Sequence, residues 1–162
     1  MSTTATNFST RASVAEWIRQ VGQMYNKDLA AISDEQFKSS FAGKARTAQD
    51  FTSEIVGMNL MVARIISGES VSMPSDEEQK AFRDSFTSTA FAQEKITEST
   101  NALAAALEAL SDEQLGEEVN APWGMPITKF GFANLQAGHI WYHDGQLNYI
   151  QALNGDEAIH WM

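Results

Sequence analysis

Cysteine is absent from the chain, so disulfides, zinc ribbons and thiol nucleophiles of its own are excluded. That absence fits a reducing compartment. Proline is scarce, and the three that occur interrupt none of the segments with helical periodicity. Positive charge is scarce too: 11 Lys and Arg stand against 21 Asp and Glu, for a formal charge of −10. Such a chain repels phosphate backbones, and with no local basic patch to offset this, no nucleic-acid partner is expected. Long apolar runs are also missing. The most apolar stretch of helix length, Ile55 to Ile66, is broken by Asn59 and Arg64, so no membrane partner is expected. The opening residues have neither a basic region nor an apolar core, so no signal peptide is expected, and the cytoplasm is the expected location.

What the chain does have is the balance of a globular protein: 43% hydrophobic and 20% charged residues over 162 positions, enough for one substantial core. β-branched alternation is scarce, so helices dominate. Residues 1–12 read as a loose Ser/Thr-rich lead and 13–162 as a single domain. Ser13 to Glu16 reads as a capping box opening a first long helix, with Val14, Trp17, Ile18, Val21, Met24 and Tyr25 as its apolar stripe. Thr47 to Asp50 opens a second, striped by Phe51, Ile55, Met58, Val62 and Ile65 and stopped at Gly68. A short additional helix is expected from Asp76 to about Phe86, then a longer one carrying Phe91, Ile96, Leu103, Leu107 and Leu110. The last helix should begin near Thr128, after a turn from Pro122 to Pro126, and end near Leu153 with Gly155 as its cap. Four long helices with modest loops predict an all-α, antiparallel four-helix bundle. The near-repeat of Ile32–Phe37 in Leu110–Leu115 reads either as a trace of duplication or as two convenient Ser-x-x-Gln helix starts.

The chemistry concentrates on the last helix. With His139 at zero on a helical wheel, Leu135 and Leu153 fall at about −40°, Gln146 at about −20°, Phe132 and Ile150 at about +20° and His143 at about +40°. That shared arc predicts that both histidines face the core. Two inward imidazoles one turn apart need partners for their ring nitrogens. They can chelate one divalent ion, or they can be core histidines bonded to carbonyls or to Gln146. On the second long helix, Glu54 falls between Met61 and Ile65 on the wheel, inside an apolar arc where an unpaired carboxylate is costly. A divalent cation held by Glu54, His139 and His143 resolves all three anomalies. Asp50 is a weaker substitute for Glu54, and a Glu54–His ion pair without metal is the alternative. Two histidines and a carboxylate leave positions open for water and a small-molecule substrate. They do not choose among Zn, Ni, Fe and Mn. His160 folds back as a further ligand only if the C-terminal tail returns to the bundle; otherwise Trp161 packs the tail down.

The segment His139-Ile-Trp-Tyr-His143-Asp-Gly-Gln146 resembles the last-helix H-x-x-x-H-x-G-Q motif of the DinB-like superfamily. Arg46-Thr47 and Pro122-Trp123-Gly124 fall where that family has comparable turns, and the resemblance covers nearly the whole chain. It implies a four-helix bundle, a divalent metal and a homodimer. The superfamily includes bacillithiol and mycothiol S-transferases, which implies thiol transfer or hydrolysis of a small molecule as the reaction class. Members commonly hold their metal with three histidines, two from this motif and one from helix two. Here the helix-two position matches Glu54. A non-catalytic dimeric bundle with a structural polar core is the competing expectation.

Overall fold

The computed structural model describes residues 9–162. The lead expected over 1–12 lies outside the described residues as far as residue 8. Beyond it, α1 (Thr10–Ala30) starts one turn before the expected Ser13 cap, with Ser9 as its N-cap. The extra turn is anchored by tertiary contact, because the Arg11 guanidinium donates to the carbonyl of Leu110. The other long helices are α3 (Ala48–Ile66), α5 (Thr89–Glu108) and α7 (Lys129–Leu153). Thr47 and Thr128 cap α3 and α7, and Gly68 and Gly155 take positive φ just past their ends. Between them lie α2 (Asp34–Lys38), α4 (Asp76–Asp84) and α6 (Asp112–Leu115). The near-repeat resolves into two helix starts: α2 and α6 each open on a Ser-x-x-Gln capping box, at Ser33 and Ser111.

The four long helices form a bundle in which α1 and α3 each pack on both α5 and α7. Side-chain pairs fix the directions. Arg19 meets Glu108 and Asn26 meets Gln93, so α1 and α5 run antiparallel. Glu54 meets His139 while Phe51 stacks on His143, so α3 and α7 are antiparallel too. Trp17 meets Trp141 and Asp28 meets Asn148, so α1 and α7 run parallel, and by consequence so do α3 and α5. Joining parallel neighbours requires a return along the bundle. Helix α4 makes it, laying Phe82 over Gly57 and Arg83 beside Asp50 of α3.

Gly22 lets α1 and α5 close up: a Cβ there would stand 2.6 Å from Cγ2 of Thr100. The expected Pro122–Pro126 turn is the tip of a small hairpin, β1 (Glu118–Asn120) and β2 (Pro126–Thr128), paired antiparallel. Three-residue strands, with one half-buried residue in β1 and two in β2, are too short to show an alternation in sequence. No helix among the described residues is long and apolar enough to cross a membrane.

Candidate metal centre

The buried faces of α3 and α7 are rotated from the arcs predicted in sequence. On α7 the fully buried positions include Ala133, Gln136, Ala137, Ile140, Asp144 and Leu147. With His139 at zero these centre at about +110°. Leu135 and Leu153, expected inside, are exposed. His139 therefore stands at the rim of the bundle, its side chain 22% exposed, while His143 is 2% exposed. Glu54 undergoes the same correction: its side chain is 39% exposed, so it does not sit in an apolar arc. The apolar arc misled because exposed positions of α7, Leu135 and Leu153, carry large hydrophobic residues as well.

Antiparallel α3 and α7 bring the three residues together at this rim. Nε2 of His139 lies 3.2 Å from Oε1 of Glu54 and 3.0 Å from Nε2 of His143, which in turn lies 3.7 Å from Oε1. A tetrahedral ion with donor bonds of about 2.0–2.2 Å separates its donors by about 3.3–3.6 Å. The observed distances straddle that range, so the donor set fits a divalent ion. The neighbours hold it in place. The Phe51 ring stacks on the His143 imidazole at 5.3 Å with 9° between planes. Nδ1–H of His143 donates to Oε1 of Gln146 over 2.7 Å, which leaves the Nε2 lone pair facing Glu54 and His139.

His139 is set differently. Its Nδ1 lies 3.1 Å from Nε2 of Gln136, an amide donor, so the ring proton sits on Nε2 and points to Glu54 and His143. In this arrangement the triad is a closed hydrogen-bond network. Turning the Gln136 amide over would present its oxygen to Nδ1–H and free Nε2 for an ion. Oε2 of Glu54 meanwhile accepts from the Arg46 guanidinium. The hydrogen bond from His139, and then the nearby His143 imidazole, hold the Glu54 carboxyl far below the usual carboxylate range, against partial burial and with help from Arg46.

The other sequence candidates lie elsewhere. Asp50 completes the α3 capping box with Thr47 and pairs with Arg83 at 3.3 Å. His160 bonds Asp156 over 2.8 Å, and Trp161 packs against Trp141. Tyr142 touches the edge of His143 but is exposed, and Trp123 packs on Phe132. Sequence reasoning missed Gln136, although its position three residues before His139 mirrors that of Gln146 three after His143. It also missed the Arg46 contact to Glu54, which depends on how the 39–47 connection folds back.

Fold and cluster together define a class: a four-helix bundle with two histidines and a carboxylate converging from its second and fourth long helices. The sequence model of the DinB family matches residues 1–159, and the chain belongs to that family. Among solved structures it is similar to YfiT from Bacillus subtilis, described as a probable metal-dependent hydrolase with an unusual four-helix bundle topology. That match has a TM-score of 0.74 and 15% identity, over 96% of this chain and 93% of the other. It is also similar to a mutant of the mycothiol-dependent maleylpyruvate isomerase, with a TM-score of 0.71 and 12% identity. There the match covers 86% of this chain but only 61% of the isomerase chain. At these identities the likeness is one of fold alone. No curated protein matches.

Proposed function

We propose that this chain is a divalent-metal-dependent enzyme acting on a small molecule, by hydrolysis or thiol transfer, at Glu54, His139 and His143. The observation that carries this reading is the convergence of three donor atoms within 4.8 Å at a rim open to solvent. One of the two similar structures is named a probable metal-dependent hydrolase and the other a mycothiol-dependent isomerase, which supports hydrolysis and the use of a thiol. When bound, an ion here supplies Lewis-acid polarisation of a substrate oxygen or sulfur. The chain's own residues do the rest. Gln146 fixes the His143 tautomer, Phe51 fixes its ring plane, and Arg46 engages the second carboxylate oxygen so that Glu54 offers only Oε1. We place the protein in the cytoplasm as a homodimer, with the exposed α7 residues Leu135, Tyr142 and Tyr149 as the surface a second copy would cover.

A second reading draws on the closed network of Gln136, His139, Glu54, His143 and Gln146, which satisfies the triad without any ion. In it the bundle is non-catalytic and the cluster structural. Metal analysis of protein purified without chelator separates the two. The expected result is about one ion per chain, lost in Glu54→Ala and in His143→Ala. No bound metal in any of the three proteins would overturn the first reading in favour of the second.

A further inference from the structure

The α4 return along α3 leaves a cleft of about 1000 Å³ beside the triad, with Glu54 on its wall. Three of the molecule's exposed large hydrophobic residues, Leu60, Met73 and Phe82, converge there, joined by Met58, Met61 and Val71. Exposed apolar side chains gathered in one concavity mark a ligand surface, and methionines adapt to ligands of varied shape. Gly57 keeps the floor open, because only Phe82 would approach a Cβ at this position, at 3.6 Å.

Charge of both signs lines the cleft, with the carboxylates of Asp50, Glu54, Asp76 and Glu78 beside its basic residues. In a chain with 11 Lys and Arg, four of them (Arg46, Arg64, Lys80 and Arg83) line this cleft. Three of its four carboxylates are engaged: Asp50 by Thr47 and Arg83, Glu54 by Arg46 and His139, and Glu78 by the Ser75 cap. Arg46 uses only Nη2, so its Nε and Nη1 have no partner among the described residues. Arg64 likewise uses only Nε. Free guanidinium donors thus stand at both ends of an apolar trough. The helical rise from Glu54 to Arg64 makes it about 15 Å long.

We infer that this cleft binds an amphipathic organic acid, with its acid group on Arg46 and its apolar tail along Met58, Met61 and Met73. Arg46 rather than Arg64 takes the acid because Arg46 also touches Glu54, which sets the acid end beside the triad. Binding stands on the cleft alone; that the acid is the enzyme's substrate rests on the metal reading above. The probe is octanoate, titrated into the full-length protein with ¹³C-labelled methionine methyl groups, with zinc content measured on the same samples. Octanoate should shift the methyl signals of Met58, Met61 and Met73 and leave those of Met24 and Met125 in place. Octan-1-ol, with the same tail and no charge, should bind about tenfold or more weakly, as should octanoate to Arg46→Met. Arg64→Met should change little. Gly57→Leu fills the floor and should abolish the shifts; should it fail to fold, Met73→Glu, on the exposed 67–75 connection, sets a charge against the apolar tail and should weaken binding instead. No shift at the three methyl groups, or equal binding of octanoate and octan-1-ol, overturns the inference. A protein that binds zinc but not octanoate loses the cleft and keeps the metal centre, and the converse result does the opposite.

Discussion

Helix α7 carries two polar layers, one against α3 and one against α1, and they satisfy their polar groups differently. Against α3, His139, His143 and Glu54 are hydrogen-bonded to one another and to Gln136, Gln146 and Arg46, at a half-open rim. Against α1, Asp28, Asp144 and Gln151 are fully buried. Asn148 donates to Oδ2 of Asp28 and Gln151 to its backbone carbonyl. Yet Oδ1 of Asp28, Oδ1 of Asp144 and Oε1 of Gln151 have no partner among the described residues. Burial, reinforced by Asp28, pushes the Asp144 carboxyl up to about 8. The two layers thus handle negative charge in opposite ways. The rim layer keeps its carboxylate ionised with donors around it, as a ligand must be, while the buried layer lowers its charge by holding a proton.

The largest expected effect that would break this contrast is on stability against pH. Below about pH 4 folded and unfolded chains both hold the Asp144 proton, and between about 4 and 8 only the folded chain does. Stability should therefore fall as pH rises through that window, by up to about 1.4 kcal/mol per pH unit, and Asp144→Asn should flatten the slope in urea titrations. Glu54, held ionised, acts in the opposite sense: the stability it contributes is present above its unfolded pKa and lost as pH falls toward its much lower folded value. A slope that persists unchanged in Asp144→Asn would remove the buried layer from the explanation.

A smaller effect sharpens the rim side. Gln146→Ala removes the acceptor that fixes the His143 tautomer, and should weaken zinc binding by about 10–100-fold in competition titrations. Glu54→Gln should shift the melting of metal-free protein by no more than about 1 kcal/mol, because the exposed pairing it loses is worth little. His160→Ala should change neither, since that ring belongs to Asp156.

The bundle was legible because its signals are local: the caps at Thr47, Ser75 and Thr128 and the stripes behind them stand where sequence places them. The parallel pairing of α1 with α7 was not, since no local pattern records which helices neighbour which. The triad was legible from the i, i+4 spacing of His139 and His143 and from the family motif. Its position at the rim was hidden because Leu135 and Leu153, apolar but exposed, pulled the predicted arc toward His139. The same rotation concealed the Asp28–Asp144 layer: with the arc centred on His139, Asp144 falls on the outside. Asp28 does carry a sequence signal of burial: with Val21 at zero on the wheel it falls at about −20°, inside the apolar stripe of α1.

The chain has only three histidines, which makes one measurement direct. Imidazole ¹⁵N spectra, recorded before and after one equivalent of zinc, report each ring's tautomer and any bound ion. In the metal-free protein His143 should carry its proton on Nδ1 and His139 on Nε2. On adding zinc, Nε2 of both should move to metal-bound positions, the His139 proton should pass to Nδ1, and His160 should stay unchanged. Zinc that moves His160, or that leaves His139 and His143 where they were, would contradict a metal centre at this rim.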